Sequence, residues 1–207
     1  MNNSLSLLLL CCLVSCNPIK NHPIEHSNGT PIPDSLCYFF PPQYVTATRH
    51  IVGDITCDCV NPSGICDYFV IVEKTYLHCD YDSLVSFAKT KSTQILNDTS
   101  EYIPIKNRDF DKREIIDSAY LGVKIEQIIP DFQQLESFNN KWLDASTRSG
   151  LSSGYTFYII KSGNTLVLND KWNCHRLWLP KTLQHAYRSG IAINPDNDYI
   201  VFWAMAW

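Results

Sequence analysis

Tyr68-Phe69-Val70-Ile71-Val72 is the stretch from which the fold is read. Its β-branched and aromatic side chains pack well on a pleated surface and poorly in a helix, so it reads as a strand, here drawn over Tyr68–Cys79. Upstream, Tyr44–Cys59 reads as a second strand, and Pro62–Gly64 supplies the turn between them. Downstream, Asp82 is a candidate N-cap, and Leu84, Val85, Ala88, Ile95 and Leu96 recur at helical spacing, so a helix is expected over 83–96. Residues 115–129 fit a helix and a strand equally well. Pro130 suits the first turn of another helix, lined by Phe132, Leu135, Phe138, Trp142 and Leu143 and running to Ala145. Ser146–Gly154 reads as a loop. Tyr155–Lys161 and Thr165–Asn169 flank Ser162-Gly163-Asn164 as a hairpin would. A short helix is expected from Pro180 to a stop at Gly190, then a turn at Asn194–Asn197 and a closing strand over Asp198–Ala206. Interspersed strands and helices, with hairpins outnumbering parallel crossovers, predict an α+β domain: a mainly antiparallel sheet with two to four helices, stapled by disulfides.

The chain of 207 residues holds 17 basic and 21 acidic side chains, and a net charge of −4 argues against general nucleic-acid binding. Hydrophobic content of 45% suffices for a packed core. Nine cysteines are present; removing Cys11, Cys12 and Cys16, for the reasons given below, leaves Cys37, Cys57, Cys59, Cys66, Cys79 and Cys174. An even set in an exported chain reads as a disulfide framework. Cys59 with Cys66 is the favoured pair, because the Asn61–Gly64 turn would bring the two together. Zinc is the rival for Cys57, Cys59, Cys66, His78 and Cys79, but the first pair is spaced more tightly than structural zinc sites use. No metal and no cofactor is expected.

The first fifteen residues carry no charged side chain, and Leu5–Val14 forms an apolar run interrupted by Ser6 and two thiols. At about 1.5 Å per helical residue the run covers roughly half of a ~30 Å hydrocarbon layer, which suits the core of a signal peptide and not a permanent span. Leu13-Val14-Ser15-Cys16 follows, and it resembles the lipobox of bacterial lipoproteins. The resemblance covers those four residues and their hydrophobic lead-in. It implies cleavage before Cys16, a diacylglycerol on the Cys16 thiol and acylation of the freed amine, palmitate included. The uncharged start Met1-Asn2-Asn3-Ser4 departs from the usual basic n-region. Pro18, Pro23, Pro31 and Pro33 mark residues 16–36 as a tether. The expected organisation is a signal over 1–15, a lipid-anchored tether over 16–36 and a single α+β domain over 37–207.

Lys171–Gly190 is basic in an acidic protein, with no Asp or Glu. On the expected helix, Lys181, His185 and Arg188 share one face at i, i+4 and i+7, which together with Arg176 could receive an anion, an acidic protein or lipid headgroups. Trp172, Trp178, Trp203 and Trp207 cluster near the end of the sequence; Trp178 and Trp207 are candidates for partner contact and Trp207 for exposure. Cys174 with His175 or His185 is the local candidate for a thiol nucleophile. Asp109 with Asp111, and Asp80 with Asp82, are candidate carboxylate pairs for a cation or a glycosidic bond. The expectation is a non-enzymatic, lipid-anchored envelope protein on the outer membrane or periplasmic face, bound to the membrane through Cys16 and to a protein partner, with toxin neutralisation within its range. The alternatives are a hydrolase of cell-wall or glycan substrates, and a secreted disulfide-rich protein of eukaryotic type, to which the acceptor tripeptides at Asn28 and Asn97 would belong.

Overall fold

A computed structural model describes residues 32–41, 50–51, 65–77, 80–105, 116–133, 143–168 and 178–207. Its elements are α1 (Asp34–Cys37), β1 (His50–Ile51), β2 (Cys66–Glu73), α2 (Tyr81–Lys91), β3 (Gln94–Leu96), β4 (Ile103–Ile105), β5 (Ile128–Pro130), β6 (Thr156–Gly163), β7 (Tyr187–Ile193) and β8 (Tyr199–Ala206). Six strands form one sheet in the order β1-β2-β8-β7-β6-β3, and every pairing in it is antiparallel. A separate parallel pair joins β4 to β5. Antiparallel strands in one sheet with helices beside it make the α+β class expected.

The central strand β8 reads Tyr-Ile-Val-Phe-Trp-Ala-Met-Ala with no polar alternation, because both faces of the sheet are covered. On one face Cys66, Tyr68, Val70, Val72, Ile191, Ile193, Ile200 and Phe202 meet Leu84 and Ala88 of α2, together with Ile32, Leu36, Phe39 and Phe40. The Phe40 ring stacks on Tyr68 at 5.2 Å and meets Phe202 at 6.0 Å. On the other face Phe69, Ile71, Phe157, Ala192, Val201, Trp203 and Met205 meet a layer built from Ile105, Ile128, Ile129, Phe132, Leu151 and Trp178–Leu183. Trp203 sets the shape here. Opposite it on β7 is Gly190, where an added Cβ would lie 2.9 Å from the indole and 2.3 Å from the Tyr158 carbonyl oxygen.

That close approach explains one departure from expectation. Gly190 reads in the sequence as a helix stop, yet it sits inside β7 because only a residue without a side chain fits beneath Trp203. The helix expected from Pro180 is a single 3-10 turn at Lys181–Leu183. Ser162-Gly163 does not turn back as a hairpin: it continues β6, whose partner is β7, and 165–168 form no strand. Pro130 ends β5, Phe132 and Gln133 are in 3-10 conformation, residues 134–142 lie outside the described set, and by Leu143 the chain is in an isolated bridge and not in the helix expected to run to Ala145. Two 3-10 turns, Ser118–Tyr120 and Ile125–Gln127, precede β5 and settle the ambiguity over 115–129. The helix expected over 83–96 is α2, Tyr81–Lys91; its cap is Asp80 and not Asp82, which lies in the first turn and whose N–H donates to the Asp80 carboxylate at 3.2 Å, and Ile95 and Leu96 belong to β3. Ile32 and Leu36 are buried, so the folded unit includes residues assigned to the tether.

Cys37, expected in a disulfide, is a free thiol buried in the core. Cys66 is disulfide-bonded, and no disulfide joins two described residues. Cys57, Cys59, Cys79 and Cys174 lie outside the described residues, as does the Pro62–Gly64 turn.

Arg188 points from β7 into the second face and is completely enclosed. Its Nη1 donates to the Glu126 carbonyl at 3.1 Å and to the Ile128 carbonyl, and its Nη2 donates to Gln94 Oε1 at 2.5 Å. One cation thus joins β7, the covering layer and edge strand β3. Burial lowers the guanidinium pKa to about 10, with Glu126 acting in the opposite sense, so it stays charged at neutral pH. Replacing Arg188→Ala strands those three acceptors in an apolar layer and is expected to destabilise the fold by roughly 3–5 kcal/mol. Chemical denaturation measures the loss, and a change under about 1 kcal/mol would refute this role.

Candidate functional site

The strand alternation that sends Ile65, Phe69 and Ile71 into the second face sends Asp67 there as well. Asp67 is 1% exposed, and neither carboxylate oxygen has a hydrogen-bond partner. Across β8 it pairs with Met205, which pairs in turn with Arg188, so the two buried charges share one row of the sheet two strands apart. Arg188 is committed to Glu126, Ile128 and Gln94. The covering layer brings a second acid, Asp131, which is 6% exposed and accepts from Gln133 N–H at 3.2 Å. Phe132, the next residue, has its ring 5.3 Å from Phe69, and its N–H donates to the Ser149 carbonyl at 3.0 Å.

Burial pushes the Asp67 pKa well above the ordinary carboxylate range, and Asp131 adds to the rise. An ionised Asp67 here would have neither water nor donors around it, so the neutral acid is the form the fold favours. Chemically, the pair can hold a proton and is shut off from a bulky substrate. Among the described residues no group of three or more His, Cys, Asp or Glu is gathered as a metal site.

The residues expected to form a binding face are dispersed. Arg188 lies in the core and not on a helix face, because strand β7 replaces the helix that would have aligned it with Lys181 and His185. Lys181 is exposed on its 3-10 turn and His185 is half-buried. Trp178 is buried against Tyr120, with ring centroids 5.5 Å apart. Trp207, expected to be exposed, is 1% accessible: its indole N–H donates to the Leu183 carbonyl at 2.5 Å, and its main chain pairs with Ala186 in both directions. Asp80 and Asp82 sit on the exposed start of α2, where Asp80 is spent as a cap. Cys16, Arg176, Cys174, His175, Asp109 and Asp111 lie outside the described residues. Asp67 escaped the sequence reading; its one signal was a lone acid between apolar residues two positions away on either side, Ile65 and Phe69.

No protein-family model, no curated protein and no solved structure matches the chain.

The buried Asp67 makes stability fall as pH rises. The unfolded chain releases the Asp67 proton near pH 3.9, while the folded chain retains it to higher pH, so each step upward between those two values favours unfolding. Asp67→Asn removes that slope. Its melting temperature should exceed that of the wild type at neutral pH and converge on it near pH 4. A variant that melts lower at every pH would contradict the assignment.

Proposed function

We propose that the chain is exported, is held on a bacterial envelope membrane by a lipid on Cys16, and works by binding a protein partner and not by catalysis. The observation that carries the address is the apolar run ending in Leu13-Val14-Ser15-Cys16. It is supported by a folded unit that is under way by Ile32, leaving residues 17–31 as the span between anchor and domain. Among the described residues no helix is long and apolar enough to cross a membrane, so a lipid would supply the hold.

Binding is preferred to hydrolysis because the described acid pair is enclosed, out of reach of a glycan. The surface offered to a partner adjoins the segment expected from the sequence. Ile116 is 45% exposed and Leu121 62% exposed, and Asp117 N–H between them donates to the Trp178 carbonyl at 2.8 Å, which ties this segment to the one that leads into the Lys181 turn. An apolar pair next to a lysine suits a protein surface with an acidic rim. Neutralising a toxin is one role of that kind. We also assign the Cys66 disulfide to Cys59, across the Pro62–Gly64 turn.

Cys16→Ser should move the protein from the membrane fraction to the soluble fraction and abolish incorporation of labelled palmitate. Continued membrane association without the label would overturn the anchor. Peptide mapping of unreduced protein should recover a Cys59–Cys66 cross-link, and a link from Cys66 to any other cysteine would reject that pairing.

A further inference from the structure

The six-stranded sheet ends at β3, and the way it ends is self-complementary. Thr93, the residue before β3, donates its N–H to the Ile159 carbonyl of β6 at 2.7 Å. Main-chain groups alternate in direction along a strand. In the ladder Gln94 and Leu96 pair with Ile159 and Phe157 of β6; the Ile159 carbonyl is turned to this edge and the Tyr158 carbonyl away from it, toward Gly190, so the N–H and C=O of Ile95 face outward, and no described element pairs with that edge. The Ile95 side chain is 50% exposed, one of four large exposed apolar side chains among the described residues.

The flanks carry charge in a definite order. Before β3, the last turn of α2 holds the exposed Lys89 and Lys91; after it come the exposed Asp98 and Glu101. Among the described residues none of the four forms an ion pair. Asp98 uses one oxygen, Oδ2, to accept from Gly154 N–H at 2.7 Å, which leaves its charge in place at the edge.

We propose that β3 pairs antiparallel with β3 of a second copy of this chain, about a two-fold axis through Ile95. In that register the outward N–H and C=O of Ile95 meet those of Ile95 in the other copy as a hydrogen-bonded pair, and the two Ile95 side chains lie beside one another across the axis. The same two-fold axis sets the basic end of one strand against the acidic end of the other at both ends of the interface. An exposed edge strand otherwise offers its unpaired groups to any other chain. A short edge with one apolar residue on the axis and opposite charges on either side is selective for its own copy. The dimer would join the two sheets into one continuous sheet.

Sedimentation equilibrium of the full chain in mild detergent tests this. The wild type should show a monomer–dimer equilibrium in the micromolar range, and Ile95→Lys should weaken it by about tenfold or more. Lys91→Glu and Glu101→Lys change exposed residues whose side chains hold no hydrogen bond or ion pair among the described residues. Each variant alone should dimerise less than the wild type, and an equimolar mixture of the two should recover dimer, because the mixed pair restores opposite charges at both ends. A wild type that stays monomeric throughout overturns the proposal. So does a dimer indifferent to Ile95→Lys, or a mixture that fails to recover.

Discussion

The burial of one guanidinium organises the second face of the sheet. A charged group is tolerated in an apolar layer only when acceptors surround it, and Arg188 finds two carbonyls on the layer above and an amide oxygen on the edge strand. The two carbonyls are main-chain groups of a 3-10 turn and a three-residue strand, which need donors beyond their own regular pairing. Each side therefore supplies what the other lacks. This is how 3-10 turns and a short parallel pair, which offer little regular hydrogen bonding, cover half of a six-stranded sheet as firmly as helices cover the other half.

Asp67 occupies the same row under opposite circumstances. Arg188 is long enough to reach across neighbouring strands to its acceptors; an aspartate is short and stays where its strand puts it. Met205 lies between them in the row, and the two charges do not meet. The face thus holds one charge that is solvated by protein and one that is best kept neutral by a proton. The first secures the covering layer, and the second makes that layer sensitive to its surroundings.

The elements legible in the sequence were those whose local pattern agrees with their tertiary role. β2 and β8 are apolar runs that end at turn residues, and α2 has a cap and a helical stripe. β7 was hidden because its local signals conflict with its place. Pro180 before it and Gly190 within it read as helix punctuation, while its strand character depends on Trp203, a residue from the next strand that requires the glycine. The same conflict concealed the candidate site. Arg188 looked like a surface charge because helical spacing aligned it with Lys181 and His185; with strand spacing it falls in line with Gly190 and Ala192, which face the core. Asp67 and Asp131 are far apart in sequence and share no motif; they come together where the covering layer packs on the sheet, with the tilted rings of Phe132 and Phe69 in contact.

Cys37 has a bearing on how the molecule is made. Its thiol is enclosed between α1 and the sheet, and burial, reinforced by Asp34, pushes its pKa well up. Thiol–disulfide exchange proceeds through the thiolate, so a thiol held protonated and out of contact with solvent is a poor attacker. The bond at Cys66 belongs to the same apolar cluster. Docking of α1 therefore acts as a chemical lock: once it closes, the one free sulfur in that cluster can no longer reshuffle the bonded one. The order of events during maturation, packing before or after oxidation, then decides whether the correct cross-link is preserved or a wrong one is trapped.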